Sequence, residues 1–335
     1  MALVAVTFCL VMLGGTVTSK GAGLAVPDWP RTYGYNMFLF PPSQWVGNIF
    51  WEHTHRLLGS VVGMMCIGIC IGLWRTQNAR PWLRWTGVGL LTLVIVQGVM
   101  GGLRVTELSI AFAVIHGINA QVFLCMTVLI AAATSRFWIE RSQAKPNTHR
   151  LGYAAYALLA VVLIQLVLGA ATRHTNAGLA IPDFPTAYGG VIPPFDQAGI
   201  EAGMGEFAAS QDNYEFTNAT FTPAQVGIHF AHRTWAVVLL ITAVCVLFRI
   251  AKAFRAQRQV ITPVFAIATL LVIQVLLGMQ VILSGRHPEI ATAHQSIGAA
   301  IIAMCALLAL RVRLSQPTVT EPIESNSMLL EGAHA

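Results

Sequence analysis

Eight apolar runs decide what this chain can fold into. They lie near residues 2–19, 51–74, 86–103, 110–135, 151–172, 225–248, 261–284 and 290–310. Each is long enough to cross about 30 Å of hydrocarbon as a helix. A spanning segment must satisfy its own backbone hydrogen bonds, so the expected fold class is all-α transmembrane with eight helices. Only 10% of residues are charged, against about 25% in soluble domains. The bilayer is therefore the expected solvent of an integral membrane protein. Met1 leads straight into the first run without a cleavage-site pattern, so that run is expected to be a retained helix.

The net charge of +6 reflects topology and calls for no nucleic-acid partner. Thirteen of the 20 Lys and Arg follow even-numbered spans: Arg75, Arg80 and Arg84; Arg136, Arg141, Lys145 and Arg150; Arg249, Lys252, Arg255 and Arg258; Arg311 and Arg313. Opposite loops carry Asp183, Asp196, Glu201, Glu206, Asp212 and Glu215. The positive-inside rule then puts both termini in the cytoplasm and the long loops 20–50 and 173–224 outside. All six cysteines fall within the spans and are expected as small buried hydrophobes without a structural disulfide.

The chain repeats itself. Gly14 to Gly34 and Gly169 to Gly189 share ten of 21 positions, including Ala-Gly-Leu-Ala, Pro-Asp and a closing Tyr-Gly. This predicts a tandem duplication of two four-helix bundles, 1–140 and 150–313, each with a folded, partly re-entrant external loop rich in Gly and Pro. Residues 314–335 are expected as a disordered cytoplasmic tail. Spans three, five and seven share a Gln four residues before a Gly: Gln97/Gly101, Gln165/Gly169 and Gln274/Gly278. Close packing at the glycine and an interhelical amide hydrogen bond are the expected roles.

Ionisable groups inside a span are costly and mark function. Glu52-His53-Thr54-His55-Arg56 opens span two, and His229-Phe230-Ala231-His232-Arg233 opens span six. His55 and His232 are 177 positions apart; His116 and His294, in spans four and eight, are 178 apart. All four enter from the external side to one depth, two per half. Zinc usually takes four ligands, often Cys or carboxylate among them, and no Cys-Met set for copper is present. Haem iron needs only two axial ligands and apolar walls, so the pattern favours bis-His haem over helix-packing histidines. Arg56 and Arg233 are candidate partners for haem propionates. The halves differ at one place: Glu52 stands three residues before His55, where the second half has His229. One half is therefore expected to do chemistry while the other stores or relays electrons.

Over residues 1 to about 313 the sequence resembles the haem A synthase family. The resemblance rests on Glu52-x-x-His55-Arg56, the His116 span, His232-Arg233, His294-Gln295 and the paired Ala-Gly-Leu-Ala loops. It implies oxidation of the C8 methyl of haem O to the formyl group of haem A by successive hydroxylations. It further implies that His55 and His116 hold the substrate haem with Glu52 as the acidic residue needed for activity. His232 and His294 would hold a haem b cofactor. Two features depart from the family pattern. The first external loop lacks the Cys pair of some members, which puts a thiol-based redox step in doubt. Val17-Thr18 also stands where many members have Thr-Arg, which leaves Lys20 as a candidate propionate contact. Expected partners are haem O synthase and cytochrome oxidase assembly, in a bacterial inner membrane, with a homo-oligomer compatible. Rival readings are a bis-His di-haem b-type electron carrier and a module that hands haem on unchanged.

Overall fold

A computed structural model describes residues 1–141, 150–211 and 220–315. Lys145, His149, Asp212, Glu215 and the tail from 316, with its His334, lie outside the described residues. Ten α-helices are described: α1 (Ala2–Ser19), α2 (Gly47–Thr76), α3 (Pro81–Thr106), α4 (Ile110–Ala133), α5 (Arg136–Arg141), α6 (Arg150–His174), α7 (Gln197–Gln211), α8 (Pro223–Ala253), α9 (Arg258–Leu283) and α10 (Pro288–Leu314). All but α5 and α7 are long and apolar enough to cross a membrane. The protein is an all-α integral membrane protein.

Local chemistry sets the helix ends. Pro81, Pro223 and Pro288 open α3, α8 and α10, where a missing N–H costs nothing. At α8, Thr222 and Gln225 form a reciprocal capping box: Gln225 N donates to Thr222 Oγ1 at 3.3 Å and Thr222 N to Gln225 Oε1 at 2.9 Å.

One core is drawn from α1 to α4, around Val62, Cys66, Leu83, Leu90 and Phe123. Another is drawn from α6, α8, α9 and α10, around Leu158, Ile250, Ile267 and Ile302. Val11, Leu124 and Ala299 join α1, α4 and α10 along the seam between them. With no water to drive helices together, such packing relies on contact and close approach. The six cysteines are free thiols.

The first external loop carries a two-stranded hairpin, β1 (Arg31–Thr32) with β2 (Tyr35–Asn36). In the second, α7 packs Ile200, Met204 and Ala208 against Ala177, Ala180, Ile181 and Val226. Sequence patterning did not reveal α7, because its period is short and its Ala and Gly contrast weakly with its charged face.

Candidate functional site

The duplicated loops fold alike. Asp28 accepts hydrogen bonds from the N–H groups of Tyr33 and Gly34 at 2.8 Å each, and Asp183 accepts from Tyr188 and Gly189 at 2.7 and 2.9 Å. The phenol of Tyr33 donates to Ala25 O, and that of Tyr188 to Ala180 O at 2.6 Å. Tyr33, Gly34, Tyr188 and Gly189 all hold positive φ; the shared Tyr-Gly closes a turn that glycine tolerates best. Burial pushes the Asp28 and Asp183 carboxyls up, but hydrogen-bond donors outweigh it and hold both below the ordinary range: the backbone N–H groups at Asp28, and the Thr186 hydroxyl followed by backbone N–H groups at Asp183.

Both interfacial arginines turn toward these loops. Arg56 donates to Asp28 O at 2.6 Å, Val26 O at 2.8 Å, Arg31 O at 3.1 Å and Glu52 Oε1 at 2.8 Å. Arg233 donates to Asp183 O, Pro185 O and Thr186 O at 2.8–3.0 Å. Glu52, only 4% exposed, also accepts the Val26 N–H at 2.9 Å. Its positional equivalent His229 accepts the Ile181 N–H at 3.1 Å through Nδ1. His53, turned away from His55, bonds Thr32 Oγ1 at 3.3 Å. Lys20 pairs with Glu289 at 3.0 Å.

The four deep histidines share one construction, in which each imidazole rests on a glycine of a neighbouring helix. A Cβ on Gly14 would lie 2.9 Å from Cε1 of His55. On Gly101 it would be 3.0 Å from His116, on Gly169 3.1 Å from His232, and on Gly278 3.0 Å from His294. Any side chain there would displace the ring. The Gln-Gly pairs thus serve the histidines. Gln97 Nε2 donates to His116 O at 3.0 Å and Gln165 Nε2 to His232 O at 3.1 Å, while Gln274 Nε2 lies 3.4 Å from His294 Nε2. Gly14 escaped the sequence reading because no Gln precedes it; only its alignment with Gly169 could have revealed it.

His55 and His116 lie within electrostatic reach of one another, as do His232 and His294. Arg104 of α3 neighbours His55, His116 and Glu52, and its guanidinium lies against Gly23 of the Ala-Gly-Leu-Ala loop. Arg173 of α6 neighbours His294 and donates to Gly15 O and Ser19 Oγ of α1, both at 2.6 Å. His174 sits beside His116 and both of these arginines.

These residues suit a haem. The glycine seats are cradles that a Cβ would fill, and they set an imidazole pair in each half. Among the described residues no group of three or more His, Cys, Asp or Glu could hold a bare metal ion. The donor set is two neutral-capable imidazoles per half, which matches axial ligation.

Such a site, on spanning helices with duplicated external loops, defines a multi-span membrane protein built around paired imidazoles. A profile of the cytochrome oxidase assembly protein family, COX15-CtaA, matches residues 1–306, and the chain belongs to that family. It is similar to the heme A synthase of Rhizorhabdus wittichii, at 28% identity over 95% of this chain and 94% of the relative. It is also similar to those of Shouchella clausii, 27% over 82% of each, and Halalkalibacterium halodurans, 24% over 88% of this chain and 90% of the relative.

Proposed function

We propose that this protein is a haem A synthase, a membrane oxidoreductase that converts the C8 methyl of haem O to the formyl group of haem A by successive hydroxylations. The observation that carries this reading is the glycine-seated imidazole pair in each half, with a buried carboxylate in only one. His55 and His116 hold the iron of haem O, the substrate, in the unit 1–140. His232 and His294 hold haem b in the unit 150–313. Haem b, when bound, supplies an electron store beside the oxidation.

Glu52 is the only buried carboxylate among the described residues. Its Oε2 can take a proton only by weakening its acceptance of the Val26 N–H. Proton movement at Glu52 is thereby tied to the loop that covers the site. Arg56 and Arg233 hold those loops in place through backbone carbonyls. Arg104 and Arg173 provide the positive charge for propionates; among the described residues Arg104 makes no salt bridge, although Glu52 lies within its electrostatic reach. The basic ends of the helices support cytoplasmic termini and sites toward the external side of a bacterial inner membrane. Haem O synthase, as supplier, and cytochrome oxidase assembly, as consumer, are the partners this implies.

The test is extraction of pigment from full-length protein co-expressed with a haem O source. Haem B together with haem O or haem A is expected. Haem B alone would favour a di-haem electron carrier, and haem O bound but never converted would favour a haem carrier.

A further inference from the structure

The two halves differ at Glu52, and they differ again around His116. Gly101 of α3 and Gly278 of α9 seat His116 and His294 at equivalent places. Three residues on, along the same helix face, α3 carries Arg104 where α9 carries Val281. The first helices of the halves differ likewise at their last residues: α6 ends on His174 and α1 on Ser19.

His174 crosses between the halves. It belongs to α6 of the second, yet its Nε2 approaches Gly117 of α4, where a Cβ would lie 3.9 Å from it. Gly117 directly follows His116, so the His174 imidazole stands beside a deep histidine of the first half. Arg104 reaches the same place from α3, within electrostatic range of both His116 and His174. Arg173, the neighbour of His174, spends one nitrogen on Gly15 O and Ser19 Oγ of α1.

No acid closes this pair. Among the described residues neither Arg104 nor His174 forms a salt bridge, and no nitrogen of either is buried without a partner. Glu52, the carboxylate within range of Arg104, is already engaged through both oxygens, Oε1 by Arg56 and Oε2 by the Val26 N–H. Arg104 carries a fixed positive charge, and an imidazole donates through a nitrogen in either charge state. A carboxylate has two oxygens with which to accept from both. The equivalent places in the other half offer no such pair. Val281 has no polar side chain, and Ser19 Oγ already takes hydrogen bonds from Arg173 at 2.6 Å and Thr292 at 2.9 Å.

We propose that His174 of the second half and Arg104 of the first form a two-sided clamp for a propionate carboxylate of the porphyrin held by His55 and His116. The substrate site is then completed across the junction between the halves, and the haem b site has no counterpart of the clamp. This rests on the assignment of the substrate haem to His55 and His116.

The experiment uses purified full-length protein with haem b bound, produced without a haem O source. Haemin and haemin dimethyl ester are titrated in turn, and the low-spin spectrum that His55→Ala loses reports binding at this site. Wild type should prefer the free acid. His174→Phe keeps a ring but no donor, and should lower that preference about tenfold while leaving affinity for the ester unchanged. His174→Gln, which restores an N–H donor, should recover most of it.

A wild-type protein without acid preference overturns the proposal. So does a preference in His174→Phe within about twofold of wild type, including the case where acid and ester weaken equally, as a packing role would require. If His174→Phe does not fold, His174→Glu decides: its own carboxylate should fill the clamp and abolish the preference, and an undiminished preference overturns the proposal. The functional reading fails separately. Absence of any His55-dependent haemin spectrum sinks the porphyrin site together with the clamp, whereas haem B held in both halves in cells sinks the synthase and leaves the clamp to be judged by the acid preference.

Discussion

Glu52 and His229 make the same hydrogen bond in the two halves: Glu52 Oε2 accepts the Val26 N–H at 2.9 Å, and His229 Nδ1 accepts the Ile181 N–H at 3.1 Å. Each pins its Ala-Gly-Leu-Ala loop to the helix that carries a deep histidine. The anchoring task is common to both positions, so the carboxylate at one of them is free to serve a second purpose. Glu52→Gln keeps an acceptor for Val26 and should preserve the fold and the C-terminal haem b spectrum while stopping haem A formation. Chromatography of extracted pigment checks this; normal haem A output from Glu52→Gln or Glu52→Ala would refute the assignment.

His229→Ala removes only the anchor. The buried Ile181 N–H is left unpaired, at a cost of about 1–3 kcal/mol. A lower thermal midpoint in detergent is expected, with easier cleavage of the second external loop. An unchanged midpoint and cleavage pattern would mean that His229 does not hold that loop.

Glycine seats predict half-specific haem loss. An alanine at Gly169 would bring its Cβ to 3.1 Å from His232, and one at Gly14 to 2.9 Å from His55. Gly169→Ala should deplete haem b, and Gly14→Ala the other haem, in each case with the opposite half still loaded. Haem-to-protein ratios by pyridine haemochrome decide it. Equal depletion of both haems by either variant would contradict independent seats.

The arginines divide by task. Arg233→Ala should loosen the second loop, since three backbone carbonyls lose their donor. Arg104→Ala should leave the loops intact and weaken haem retention in the N-terminal half. Limited proteolysis and haem content measured on both variants separate these effects, and a swap of the two phenotypes would reverse the roles.

Acid should open the external loops first. In the folded protein the Asp28 and Asp183 carboxyls titrate below the ordinary aspartate value. Their contribution is therefore present above the unfolded value and lost as pH falls through the folded one. Protease sensitivity of both loops should rise below about pH 4. Asp183→Asn should make the second loop sensitive at neutral pH and flatten its pH response. A wild-type profile flat down to about pH 3 would rule out these carboxylates as the loop clamps.

The eight spans, the repeated loop and the placement of His55, His116, His232 and His294 on four of those spans were legible in the residues alone. Hydrocarbon thickness sets the length of an apolar run, and an imidazole at fixed distance from a span's end has a fixed depth. The loop-carbonyl partners of Arg56 and Arg233 were not legible, because backbone carbonyls are chemically identical along a chain and only folding brings particular ones within reach. Arg104 could not be ranked above them for the same reason: whether a cation is spent or free depends on what surrounds it. Gly14, Gly101, Gly169 and Gly278 had significance only once the rings they seat stood opposite them across helix contacts. Sequence by itself determined which span carries which chemistry; tertiary structure decided which groups face the paired imidazoles and which merely hold the adjoining loops. Depth is a property of one helix, whereas facing is a property of two.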